Sequence, residues 1–276
     1  VSVVVPVRNE ERTLGAQLSA LDAQTYDGPW EVIVCDNGSA DGSAAVAQSF
    51  DGRLPGLRVV DVSDRVGLNH TRNAGVSHAA GDFVAFCDGD DAVEPGWLDA
   101  LVSAAGDVDI VAGPVMTRDA ASVDGDYALP IKHDFLPAVA GGNCGMWVEV
   151  ARSLPWDESF VYAGSDIEWS WRALLANRTI ATAPQAVVRV GRDATVGALA
   201  RRWYHYGASG GLLFRLFRDR GMPRSSLRRA ARTWAWLLVH VPDLARDRDA
   251  RERWIRTASY RTGRLAGSIR HRVAFP

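Results

Sequence analysis

Asp88, Asp90 and Asp91 place three carboxylates in four positions around Gly89, directly after the apolar run Phe83-Val84-Ala85-Phe86-Cys87. Like charges this close repel, so solvent or a cation must neutralise them. On an extended backbone, residues two apart point the same way, and Asp88 and Asp90 are expected to share a face. Aspartate oxygens suit Mg²⁺ or Mn²⁺, hard ions that take one or two carboxylates together with substrate phosphates. The implied chemistry is a metal-diphosphate site; the competing reading is an acidic turn closing a strand. Asp36 is a further ligand candidate, because it follows the run Glu31-Val32-Ile33-Val34-Cys35 and ligands of open α/β sheets bind beyond the C-terminal ends of the strands. An Asx-turn or helix cap is its alternative, and is the preferred reading of Asp41 and Ser43. Asp166 and Glu168 open a helical segment, where the dipole favours negative charge and capping alone accounts for them.

These residues need a scaffold, and the chain supplies an alternating one. Val1 to Val7 is β-branched and nearly all apolar, as in a central strand covered on both faces. Leu14, Leu18 and Leu21 follow at helical spacing. Strands are expected over 31–35, 57–62, 83–87 and 108–116, with helices from Ala44, over 67–80 and over 96–105, the last opened by Pro95. A polar stretch from Thr117 to Lys132 reads as a long loop of the kind that carries function. Strand and helix in alternation predict an α/β, mostly parallel, Rossmann-like sheet with helices on both faces. After Val190 the pattern changes to long helices rich in arginine and tryptophan, 197–218, 225–240 and 249–268. The expected division is an α/β body over 1–196, then a basic helical extension over 197–276.

Composition narrows the field. The 276 residues are 47% hydrophobic, enough to bury a sizeable core. The net charge of −2 hides an asymmetry: 18 of the 31 basic residues and five of the 33 acidic ones lie after Val196, so the tail carries about +13. Lys132 is the single lysine, which weakens any argument from the choice of arginine. Cys35, Cys87 and Cys144 are far apart with no Cys-x-x-Cys pair, indicating small buried residues in a reducing compartment rather than zinc ligands or a disulfide framework. No apolar run reaches the ~18–20 residues of a membrane span, and no signal peptide is expected ahead of Val1, where the missing methionine suggests a trimmed leader. The expectation is a soluble, cytoplasmic protein, with attachment to the inner face of the membrane left open.

Five landmarks in order resemble the family 2 glycosyltransferases of the GT-A fold: Val-Ser-Val-Val-Val-Pro-Val-Arg-Asn-Glu at 1–10, Val-Cys-Asp-Asn-Gly-Ser-Ala-Asp-Gly-Ser at 34–43, Thr-Arg-Asn-Ala-Gly at 71–75, Asp-Gly-Asp-Asp at 88–91 and Gly-Ser-Asp-Ile-Glu-Trp at 164–169. The resemblance covers about two thirds of the chain, to Val190, and implies that 1–196 is a catalytic domain with a nucleotide-sugar-binding half to about 116 and an acceptor half over 117–196. It implies an inverting sugar transferase that uses a UDP-, dTDP- or GDP-sugar and an acceptor hydroxyl on a glycan, a lipid-linked saccharide or a small molecule. Pro6, Arg8, Glu10 and Asp36 would hold the nucleoside, Arg72 would sit near the base and pyrophosphate, Asp88 with Gly89 near the ribose, and Asp90 with Asp88 on Mn²⁺ or Mg²⁺. Asp166 would match the catalytic base. Ser165 stands where the family usually has an acid, which makes Glu168 a competitor for that role. His205, in Arg-Arg-Trp-Tyr-His-Tyr at 201–206, would be a metal ligand as in some relatives; packed structural histidine is its alternative. The chemistry agrees with these residue types, since a departing diphosphate develops charge that a cation stabilises and an attacking hydroxyl needs a base.

Two other classes stay open at this level. A haloacid dehalogenase-type phosphatase also puts Asp-x-Asp after a strand, although Ala92 stands where Thr or Val is expected. The basic tail could bind anionic lipid or nucleic acid, with Arg228, Arg229 and Arg232 beside Trp234, Trp236, Leu237 and Leu238 as an interfacial helix; no nucleic-acid partner is expected. A dinucleotide oxidoreductase is disfavoured, because no Gly-x-Gly-x-x-Gly follows the first strand.

Overall fold

The structure, a computed structural model, describes residues 1–117, 135–161, 163–191 and 195–275. It divides the chain into two units, Val1–Val161 with Ser165–Gly191, and Tyr162–Gly164 with Arg192–Pro276. Most of the expected loop from Thr117 to Lys132 lies outside the described residues.

The first unit is built on a seven-stranded sheet. Within it β1 (Ser2–Val7) is flanked by β2 (Glu31–Asp36), with β3 (Arg58–Asp61) outside it, and on the other side by β4 (Phe83–Cys87), the middle strand. These four strands are mutually parallel. β8 (Asn143–Trp147) then pairs antiparallel with both β4 and β6 (Ile110–Ala112), and β9 (Ile180–Thr182) closes the edge. β1 is buried throughout because its alternating side chains feed two cores. Val3, Val5 and Val7 join Leu14, Leu18 and Leu21 of α1 (Leu14–Asp22) on one face. Val4, Ile33 and Phe86 join Val76 of α3 (Leu68–His78) on the other.

Gly75 sets how closely α3 approaches the sheet. A Cβ there would collide with a Val4 methyl group and come within 3.2 Å of Cys35 Sγ. Glycine therefore seats α3 on β1, and Arg72, one turn earlier, is held at the carboxyl end of the strands.

The expected strand over 108–116 is two strands. β6 stops at Ala112 and β7 (Val115–Thr117) joins a separate three-stranded sheet with β10 (Val188–Val190) and β5 (Ala92–Val93). The chain turns at Gly113-Pro114, where the Asn143 amide donates to Pro114 O and Ala186 O (2.8 Å each) and accepts from Trp97 Nε1 (2.8 Å). Since β5 begins right after Asp91, the acidic turn spans from one sheet to the other.

The second unit contains α7 (Val196–Phe217), α8 (Leu227–Val239) and α9 (Arg248–Arg270). α7 and α9 meet backbone to backbone: a Cβ on Gly207 would strike Tyr260 O, one on Gly263 would strike Tyr204 O, and one on Gly267 would strike Ala208 O. Among the described residues no helix is long and apolar enough to cross a membrane.

Candidate active site

Two loops beyond the carboxyl ends of β1 and β2 are knitted together. Asn9, in a left-handed conformation (φ 57°), donates its N–H to Ser39 Oγ (2.9 Å) and accepts from Ala40 N through Oδ1 (2.7 Å). The Glu10 N–H donates to Ser43 Oγ (2.7 Å) and the Glu11 N–H to Asp41 Oδ2 (3.1 Å). Asp41 Oδ1 also accepts from Ser43 N (3.0 Å), the Asx-turn expected there, while the helix from Ser43 carries no side-chain cap. Pro6 is buried within β1 opposite Cys35, Arg8 is exposed, and half-buried Asp36 ends β2 with Oδ1 accepting from Ser39 N (2.9 Å). The side chain of Asn37, unremarked in the sequence, donates to Val62 O (2.7 Å) and Arg65 O (2.8 Å) and accepts from Gly67 N (2.8 Å), which fixes the loop leading into α3.

Residues 88–91 form a turn and not the extended stretch expected, with the Asp91 N–H pointing at Asp88 O (3.4 Å). Its three acids differ in exposure: Asp90 is exposed, Asp91 is buried, and half-buried Asp88 accepts from Arg72 Nη2 at 2.9 Å. The Arg72 side chain is only 3% exposed, and its guanidinium lies 4.9 Å from the Trp156 ring centroid. That indole is stacked on Trp169 of α6 (Ser165–Leu175), with centroids 4.8 Å apart. Asn73 anchors the platform, exchanging bonds with Trp156 N (2.9 Å) and Trp156 O (3.0 Å). Gly141 and Gly142 close over the pair, since a Cβ on Gly142 would collide with the Asp88 carboxylate and one on Gly141 would crowd Arg72 Nη1. The Gly-Gly pair was the sequence signal for this close approach; Trp156 offered none.

Glu10 reaches the same turn from the β1 loop. A Cβ on Gly89 would collide with Glu10 Oε2, an oxygen that is buried and without a hydrogen-bond partner. Its carboxyl is pushed up to about 8, first by burial and then by Asp90, Asp88 and Asp91, against a backbone hydrogen bond from Arg8. The folded chain thus retains at neutral pH a proton that an ordinary glutamate, at 4.5, has lost. Stability from this group is complete below about pH 4.5 and is lost as pH rises through about 8. In chelator, Glu10→Gln is expected to gain on the parent between about pH 5 and 8, by on the order of a few kcal/mol. Urea unfolding at stepped pH measures this, and parallel pH profiles would mean that Glu10 is already ionised.

A crowd of carboxylates, one forced to keep its proton, fits a divalent cation. Among the described residues no three His, Cys, Asp or Glu side chains are grouped so as to hold a metal ion by themselves. His205 stands on α7 of the second unit, edge-on to Tyr204. Burial, Arg201 and Arg270 lower its pKa, favouring the neutral imidazole.

Asp166 lies half-buried in the first turn of α6, its Oδ1 accepting from Ile167 N (2.9 Å). Glu168 is buried and gripped by Arg172 Nε (2.9 Å) and Nη2 (3.1 Å). The fully buried Cys144 thiol, pushed up to about 12 chiefly by burial, feels Arg72, Asp88 and Asp166 together.

The model of glycosyl transferase family 2 matches residues 2–143, and the chain belongs to that family. Glycosyltransferase AglE of Haloferax volcanii is 27% identical over 251 residues, 87% of this chain and 80% of that one. The Escherichia coli UDP-Glc:alpha-D-GlcNAc-diphosphoundecaprenol beta-1,3-glucosyltransferase WfgD is 27% identical over 186 residues, 65% of this chain and 71% of that one. Among solved structures, mannosyltransferase PcManGT of Pyrobaculum calidifontis, in complex with GDP-Man and Mn²⁺, superposes with a TM-score of 0.68 at 18% identity, covering 98% of this chain and 86% of that one. The fold is GT-A and the protein is a glycosyltransferase, which leaves no place for the phosphatase reading.

Proposed function

We propose that the chain transfers a sugar from a nucleotide-diphosphate sugar to an acceptor hydroxyl by direct displacement, with inversion at the anomeric carbon. The reading is supported by the Arg72–Asp88 ion pair just past the carboxyl end of β4, with Arg72 buried, in a family 2 chain whose β2 ends on Asp36. Asp36, with the Pro6–Glu10 loop, receives the nucleoside. Arg72, held by Asp88 and Trp156, presents positive charge to the diphosphate without having to be ordered when the donor arrives. Asp90 and Asp88 would hold Mn²⁺ or Mg²⁺. When bound, the ion stabilises the charge that develops on the departing diphosphate. Asp166 takes the proton from the acceptor hydroxyl, while Glu168 is committed to Arg172. Acceptors on a lipid diphosphate are supported by the name of the E. coli relative.

A thermal-shift panel of UDP, dTDP, GDP, ADP and CDP, with and without Mn²⁺, tests the reading. At ~100 times its Kd, a ligand adds about 2.7 kcal/mol. One of UDP, dTDP and GDP is expected to raise Tm by several degrees, more so with Mn²⁺. Flat responses throughout would overturn the donor site, and a response indifferent to Mn²⁺ would remove the metal.

A further inference from the structure

α8 is docked by one stripe and leaves another bare. Ala230 and Leu237 are buried, Trp254 Nε1 donates to Leu237 O (3.0 Å), and Arg261 Nη2 donates to Thr233 Oγ1 (2.8 Å). These bonds fix the rotation of α8 against α9. A second stripe, Leu227, Ala231, Trp234 and Leu238, follows the spacing of a helical face. It is turned to solvent, with Leu227 73% and Leu238 76% exposed. Val241 and Leu244 prolong it, both exposed in the 3₁₀ turn Val241–Ala245. An exposed apolar face of this length marks an interaction surface.

Charge identifies the occupant. From Arg220 to Pro242 there is no acidic residue, while Arg220, Arg224, Arg228, Arg229 and Arg232 are all present. Arg224, Arg228 and Arg232 are exposed, and none of the three has a carboxylate partner among the described residues. A second copy laid on the same stripe would bring arginine against arginine, and an acidic protein groove would not require a face so apolar. A bilayer with anionic headgroups meets both demands at once, taking the apolar stripe among its acyl chains and the arginines among its phosphates. We infer that α8 is an in-plane membrane anchor, seating Leu227, Trp234 and Leu238 in the interfacial layer of an anionic bilayer with Arg224, Arg228 and Arg232 at the headgroups. This attachment is peripheral and independent of turnover.

Co-sedimentation of the full chain with phosphatidylcholine vesicles, with and without phosphatidylglycerol, tests the anchor. The parent is expected to pellet with the anionic vesicles, to bind neutral ones much less, and to be released by high salt. Leu227→Glu with Leu238→Glu is expected to lower vesicle affinity at least about tenfold, with an unchanged Tm because both side chains are already in solvent. Arg228→Gln with Arg232→Gln, at two exposed positions, is expected to abolish the preference for anionic vesicles. Parent binding that survives both pairs, or no binding by the parent, would overturn the inference. So would a concentration-dependent dimer, seen by light scattering, that the leucine pair dissolves, because the stripe would then belong to a second copy.

Discussion

Asp166→Asn is expected to slow sugar transfer by roughly 10²–10⁴-fold, the usual contribution of a positioned general base, while nucleotide-induced stabilisation stays within a few fold. Asparagine keeps the shape of the side chain and can still accept the Ile167 N–H through its carbonyl oxygen, so α6 should start unchanged. What it loses is the ability to take a proton at neutral pH. Glu168 cannot move in as a replacement: it is buried, and both its oxygens are bonded to Arg172. Single-turnover rates isolate the chemical step, and a near-normal rate would remove Asp166 from the mechanism. Glu168→Gln should separate from it by lowering Tm while sparing the pH dependence of the rate.

Asp88→Ala carries the second large effect, and it should register in stability as well as in donor binding. Most ion pairs of the first unit are exposed on at least one side, such as Arg53–Asp22 and Arg58–Glu31, and such pairs contribute at most about 1 kcal/mol. Arg72 differs, being almost wholly buried. Removing one partner of a fully dry pair costs about 3–5 kcal/mol; the partial exposure of Asp88 brings the expectation nearer about 2 kcal/mol, or roughly 5 °C in Tm. The same change releases the guanidinium that is proposed to face the diphosphate, so nucleotide affinity should fall at least about tenfold. An unchanged Tm together with an intact nucleotide response would show that Asp88 neither holds Arg72 nor serves the donor.

How far the sequence reached can be followed strand by strand. β1, β2 and β4 were legible because a parallel strand covered on both faces is an unbroken apolar run. β8 was not, since Asn-Cys-Gly-Met-Trp contains no β-branched residue. It is a strand because β4 and β6 bond it on both sides, and Gly145 is needed there because a Cβ would press on the Phe83 ring. Such tertiary demands leave little local trace. The break at Gly113-Pro114 could have been read from its residue types, but the continuous apolar pattern around it prevailed.

For the site, strand ends pointed to Asp36 and Asp88, and the order of the landmarks pointed to Arg72 and Asp166. The proton on Glu10 could not be foreseen, because it arises when two loops nearly eighty residues apart in sequence bring their carboxylates together. Asp88 and Asp90 sit in a turn, where the alternation of a strand does not apply. Which of the two faces solvent depended on Arg72, a residue of another helix.

The stacked indoles of Trp156 and Trp169 have one more consequence. Two such chromophores 4.8 Å apart and nearly coplanar in orientation do not absorb independently: their transition dipoles couple, and in a chiral frame the coupling splits into paired circular-dichroism bands of opposite sign. One ring of the pair carries the Arg72 guanidinium on its face. The surroundings of Arg72 therefore have an optical signature of their own, one that would respond to a shift of that arginine without any label.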